Sequence, residues 1–166
     1  IAKVDAQLQH LSGDRPSKTI AVHQQIYAAA TRFDAGTRCV IHTHSTHCVA
    51  LSLNAAAVER ANTGGEWLPA ITPYFVMKVG HVPLIPYHRP GDPQAAALIA
   101  QAIARHGERG TPIRAVMLER LGPNCWHDSP AAAMATLEEL EETARLWLMS
   151  QPQPTPLRSE EHTSEL

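Results

Sequence analysis

An α/β domain with helices covering a sheet is the fold class that this sequence predicts, and three observations predict it. Short runs rich in β-branched residues alternate with amphipathic helical stretches in the order α-β-α-β-α-β-α. Ser, Asp, Pro and Gly punctuate the helical stretches where starts and stops are expected. The chain has 166 residues and 44% hydrophobic content, enough for one core and too little to argue for two.

The first helix is expected to start at Ser17, whose hydroxyl would cap it, and to run to about Arg32. Val22, Ile26 and Ala29 or Ala30 fall at helical spacing along it. Asp34-Ala35-Gly36 reads as a turn, and Arg38 to Thr43 (RCVIHT) as a strand. Ser45 would cap a helix over roughly Thr46 to Leu53. The stretch from Ala61 to Trp67, with Asn62, Gly64 and Gly65, reads as a loop. Val82 to Tyr87 reads as a strand that Pro83 and Pro86 confine to a sheet edge. A further helix is capped by Asp92, has Pro93 in its first position and closes at Gly107. Ile113 to Leu118 is the last strand expected. Ser129-Pro130 opens the strongest helix, with Met134, Leu137, Leu140, Ala144 and Leu148 on one face. Glu138, Glu139, Glu141 and Glu142 line its other face, where Glu141 would pair with Arg145. Residues 1–150 are therefore read as one domain. QPQPTPL from Gln151 reads as an extended linker, and 151–166 as a disordered tail or scar.

Composition narrows the function. Net charge is −2 with both signs interspersed, and Arg105, Arg109 and Arg114 are too scattered for a nucleic-acid footprint. No apolar run approaches membrane-spanning length. The chain shows no signal-peptide pattern; it opens on Ile1, so any targeting signal is expected upstream. Three cysteines (Cys39, Cys48 and Cys125) without CxxC spacing argue against a disulfide scaffold, and a reducing cytoplasm is expected. Ten histidines are the oddity, and they invite a metal hypothesis.

His42-Thr43-His44, with His47 three further on, is the central candidate. In an extended strand, positions 42 and 44 project from one face, so two imidazoles converge. Zinc takes such neutral nitrogens at ~2.0–2.1 Å and, in catalytic sites, keeps a position open. With ten histidines an H-x-H pair is not rare by chance; its place at a strand end before a helix, where α/β folds put active sites, is what favours it. Ser17-Lys18, after Arg15-Pro16, offers a hydroxyl, an ammonium and free N–H groups at a helix start. Those suit a phosphate, though the residues taken alone favour an ordinary cap beside a solvated lysine. Tyr74, His81, Tyr87 and His88 suit either proton donation or amphipathic surface packing. His10, His106 and His162 read as surface.

PSKTIAVHQQIY (Pro16–Tyr27), VIHTHSTHCVALS (Val40–Ser52), ITPYFVMKVGHVPLIPYHRPGD (Ile71–Asp92) and LEELEETARLWL (Leu137–Leu148) resemble the class II aldolase/adducin family. They look most like its branch of 3-oxo-tetronate 4-phosphate decarboxylases. The resemblance implies a three-layer α/β/α subunit, here truncated at its N-terminus, in a homotetramer with active sites between neighbours. It makes His42 and His44 ligands of Zn2+ and sets Ser17 and Lys18 near the substrate phosphate. The implied reaction is loss of CO2 from a 3-oxo-4-phosphotetronate, giving a three-carbon ketose phosphate.

Two departures stand out. The family's Glu, four positions before the helix histidine, is Thr19 here, ahead of His23; Thr cannot serve as a base near neutral pH. The family's third zinc histidine falls at Leu121 within Arg120-Leu121-Gly122-Pro123, and His127, after an expected turn, is the candidate replacement. Two alternatives remain open: a sugar-phosphate aldolase or epimerase of the same family, and a catalytically lapsed member serving as a binding or scaffolding subunit.

Overall fold

The computed structural model describes residues 1–150 and 152–158. A hairpin comes first, with β1 (Ala2–Val4) antiparallel to β2 (His10–Gly13). The Asp5 carboxylate shapes its connection by accepting the N–H groups of Gln7 and Gln9. The hairpin was not expected, because polar runs this short carry no periodic signal.

A four-stranded mixed sheet forms the centre. β3 (Cys39–His42), β6 (Gly122–His127), β5 (Ala115–Leu118) and β4 (Leu84–Ile85) lie side by side in that order. β6 runs antiparallel to both neighbours, and β4 runs parallel to β5. The two residues of β4 sit at an edge, as the flanking prolines predict. β6 corrects the expected turn and adds a strand to the expected order. Gly122 and Pro123 disguised it, since proline donates no ladder bond. Pro123 is tolerated as the second residue of the strand, where its carbonyl still accepts from the Thr43 N–H at 3.4 Å.

Helices cover both faces. On one lie α1 (Ile20–Ala30) and α5 (Pro93–Glu108), packed on each other and over Val116, Leu118 and Trp126. On the other lie α2 (Thr46–Ser52), α4 (Pro73–Lys78) and α6 (Pro130–Met149), enclosing Cys48, Phe75, Met117, Cys125 and Leu140. α3 (Ala55–Asn62) follows α2 and occupies the start of the expected loop. The fold is the three-layer α/β/α arrangement expected. Strand alternation assigns each sheet residue to a layer: Val40, His42, Asn124 and Val116 face α1 and α5, while Ile41, Cys125 and Met117 face α6. No helix among the described residues is long and apolar enough to cross a membrane.

Several local expectations change. Ser17 does not cap α1; Thr19 holds that position, and the Ser17 hydroxyl instead accepts the Thr19 N–H at 3.2 Å. Asp92 and Ser129 do cap their helices, accepting from Gln94 and Ala132. Met134, expected on the buried face of α6, is exposed, and Ala133, Thr136 and Trp147 take part in its buried face. Arg145 pairs with Glu142 at 3.1 Å, not with Glu141. Of the expected linker and tail, residues 151 and 159–166 lie outside the described residues, and the Leu157 N–H donates to the Ala70 carbonyl at 2.8 Å.

Gly107 does not end α5 but lies inside it, under the Phe33 ring, which a Cβ there would meet in direct overlap. A helix-interior Gly→Ala change ordinarily stabilises. Gly107→Ala is expected to reverse that sign and cost about 1–3 kcal/mol through overpacking, as a lower urea midpoint would record.

Candidate functional site

β3 delivers His42 to the sheet's end, and the chain turns through Thr43 and His44 into α2. The His42 Nδ1–H donates to the Pro123 carbonyl on β6 at 3.0 Å. That bond fixes the tautomer and leaves Nε2 as the ring's free acceptor. Burial holds the His42 pKa below the ordinary histidine range; the Pro123 bond opposes this, and His44 and His23 add to it. A neutral imidazole with a free Nε2 is the form a metal needs. His44 stands edge-to-face with His42, ring centroids 5.3 Å apart.

Both rings line a cavity of about 410 Å³ between the start of α1, the end of the sheet and the turn before α5. Ser17 and Thr19 enter its wall, their hydroxyls 2.9 Å apart. Lys18 lies in an adjoining hollow that shares Arg89, Gly91 and Asp92 with the cavity. Expected residues 17, 18, 19, 42 and 44 are thus brought together. Three others, His23, Arg89 and Asn124, were not proposed as site residues. His23 was legible in principle, since position 23 lies one helical turn after Thr19 on the same face. Burial lowers its pKa. Arg89 sits inside a motif block that gave it no role. Asn124 was hidden in the unrecognised strand.

Asn124 faces His42 across the β3–β6 pair and is 1% exposed, yet neither Oδ1 nor Nδ2 has a partner. A buried carboxamide left unpaired is costly, so it marks polar provision in the cavity wall.

His127 is not part of this constellation. It pairs with Cys39, three positions along β6 from Asn124 (roughly 10 Å at strand rise), and projects from the opposite sheet face. Its Nδ1 meets Asp128 at 2.9 Å. The intervening residues are strand rather than turn, so the ring cannot swing back. Leu121 lines the cavity without offering a donor. Among the described residues no three His, Cys, Asp or Glu side chains group to hold a metal. The cavity thus offers two imidazoles as candidate metal donors, with the buried Asn124 carboxamide also in its lining. His88 also lines the cavity, its Nδ1–H given to the Pro86 carbonyl at 2.7 Å. Tyr74 and Tyr87 are exposed and stand outside it.

Two contacts hold the histidine turn. Gly122 has φ +132°, and a Cβ there would overlap the Thr43 carbonyl and press on His44 Cα at 3.2 Å. Glu141 reaches across from α6 to cap α2, accepting the N–H groups of His47 and Cys48 at 2.9 and 3.0 Å and the His47 ring at 2.7 Å. The Ser45 hydroxyl does not cap; it bonds Thr43 at 2.6 Å. Burial pushes the Glu141 carboxyl up, but these donors outweigh it and hold the pKa below the usual range.

The chain belongs to a known family: residues 1–148 match the Class II Aldolase and Adducin N-terminal domain. It is 47% identical over 159 residues to a 3-oxo-tetronate 4-phosphate decarboxylase of Cupriavidus necator, covering 93% of this chain and 64% of that one. A protein of the same description from Escherichia coli strain K12 is 37% identical over 146 residues, covering 88% and 61%. The chain thus spans less than two thirds of the length of these curated relatives. The crystal structure of YgbL from Escherichia coli superposes with a TM-score of 0.76 at 33% identity, covering 97% of this chain and 70% of that one.

Glu141→Gln is expected to cost about 1–3 kcal/mol near neutral pH by weakening the α2 cap. A carboxyl with a depressed folded pKa contributes stability above its unfolded value of 4.5, lost as pH falls through the folded value. Urea titrations from pH 6 to 3 should therefore show a weaker acid loss in Glu141→Gln than in the parent chain. Gly122→Ala should cost about 1–3 kcal/mol from backbone strain alone, and its crystal structure should show the Thr43–His44 turn displaced.

Proposed function

We propose that this chain is the catalytic domain, residues 1–150, of a zinc-dependent carboxy-lyase that decarboxylates a 3-oxo-tetronate 4-phosphate to a three-carbon ketose phosphate. The observation that carries this reading is the His42–His44 pair, edge-to-face and open to a cavity beside Ser17, Lys18 and Arg89, with burial favouring the neutral form of His42. The similarity to decarboxylases over nearly the whole chain supports the choice of substrate.

His42 and His44 would hold the zinc ion, which as a Lewis acid supplies stabilisation of negative charge developing on substrate oxygens. The chain's own residues do the rest. Lys18 and Arg89 flank the hollow next to the cavity and present two cations to the phosphate. The Ser17 hydroxyl adds a donor. Val22, Leu118 and Leu121 exclude water from the reacting end. His23 and His88 are the ring nitrogens within the cavity positioned to deliver a proton to carbon after CO2 has left.

Thr19, in the slot where the family carries Glu, bears on which of the family's reactions this chain can run. Loss of CO2 from a β-keto carboxylate breaks the C1–C2 bond, and the bonding pair becomes an enediolate without any prior proton abstraction. Only a later proton to C2 is required. A retro-aldolase must first remove a hydroxyl proton, and an epimerase either that proton or a carbon-bound one, each needing a base that Thr19 does not supply. A chain with Thr in this slot retains decarboxylation most readily among the family's enediolate chemistries. Assembly as a homotetramer in the cytoplasm is part of the same proposal.

Purified protein supplied with zinc and a 3-oxo-tetronate 4-phosphate should release CO2 and form a ketose phosphate, measured by coupled reduction of the product. Absence of CO2 release, with cleavage of a ketose phosphate in its place, would favour the aldolase reading. His42→Ala should lose bound zinc by elemental analysis, and unchanged metal content would remove His42 as a ligand. Thr19→Glu should raise retro-aldol cleavage by ~10²-fold or more, the scale of general acid–base catalysis, while changing CO2 release far less.

A further inference from the structure

A second cavity, of about 540 Å³, lies at the other end of α5 and shares no lining residue with the histidine cavity. Its wall comes from the last turn of α3, the Gly64–Trp67 loop, the segment from His81 to Leu84 and the last turn of α5. This volume falls within the range of small-molecule sites, roughly 300–1,000 Å³.

The lining is rich in donors and cations. Arg105 and Arg109 enter it from α5, and neither has an ion-pair partner among the described residues. Its one carboxylate, Glu66, is already engaged: the His81 Nδ1–H donates to it at 2.6 Å. His106 stands 5.6 Å from His81, ring centroid to ring centroid. Trp67 completes the wall; it is 1% exposed and its indole N–H has no partner. The Glu66 bond raises the His81 pKa, while burial lowers that of His106, with His81, Arg105 and Arg109 adding to the fall.

A bland account exists. Cations in the last turn of a helix favour its carbonyl end. That covers the placement of Arg105 and Arg109, but not a hollow of this volume in which neither guanidinium has an acid partner among the described residues and the single carboxylate already accepts from a histidine.

We propose that this cavity is a second binding site, for a phosphate group, with Arg105 and Arg109 as its cationic contacts. Guanidinium forks match phosphate oxygens two at a time. Free phosphate and a small phosphorylated metabolite share this chemistry, and the cavity has room for either.

Calorimetry on a Lys18→Ala/Arg89→Ala chain, which removes the cations of the first site, isolates the second. Inorganic phosphate and ribose 5-phosphate are the probes. Saturable binding of at least one, with unit stoichiometry, is expected. Adding Arg105→Gln and Arg109→Gln should weaken it tenfold or more with only a small fall in melting temperature, the helix-end contribution of two exposed cations. Tenfold preference for ribose 5-phosphate would assign the site to a phosphorylated metabolite, and equal affinities to the free anion. No saturable binding, or binding indifferent to both arginines, would overturn the proposal. If the combined variants fail to fold, the unmodified chain decides: the Arg105 and Arg109 Nε–H resonances should move on phosphate addition, and static resonances would overturn it.

Discussion

The hydrogen bond from His42 to the Pro123 carbonyl is the constraint on which the site depends. It is possible only because β3 and β6 pair in the register that sets His42 opposite Asn124, one residue from Pro123. Shifting that register by one residue would turn His42 into the α6 layer and remove it from the cavity. The same bond selects the ring tautomer, so secondary structure, side-chain orientation and chemistry are settled by one contact. Proline suits the partner position because its carbonyl is available while it makes no claim on the ladder as a donor.

The turn after His42 is held from two sides. Gly122 lets the β5–β6 hairpin approach the Thr43–His44 backbone, and Glu141 fixes the first turn of α2 through charge-assisted bonds from the opposite layer. Neither residue enters the cavity. A core helix, a hairpin and an edge strand therefore converge on three residues of chain, a usual way to hold reactive side chains to narrow tolerance. Cys48 and Cys125, packed behind the sheet, are kept as inert thiols by burial, with Cys125 pushed up to about 12.

The sequence was most legible where periodicity and capping agree. α5 and α6 begin where Asp92-Pro93 and Ser129-Pro130 place them, and β3 lies within the expected RCVIHT run. It was least legible where a local rule lost to tertiary context. Gly122-Pro123 reads as a turn, and only pairing with two neighbours makes it a strand. Glu141 reads as half of an i,i+4 ion pair, and only α2 shows its use as a cap. His42, His44, Ser17, Lys18 and Thr19 were accessible because motif order kept them together, whereas Asn124 and the failure of His127 follow from a strand that no local signal announced. Gly107 belongs to the same class, since no helix rule foresees a ring lying over it.

The central claim is that His42 is a neutral imidazole with its proton on Nδ1 and its Nε2 free for a cation. Long-range ¹H–¹⁵N NMR of the metal-free chain near neutral pH tests it directly. The account predicts a protonated Nδ1, an unprotonated Nε2, and a large shift of Nε2 alone when zinc is added. A proton on Nε2, or an Nε2 resonance indifferent to zinc, would contradict it.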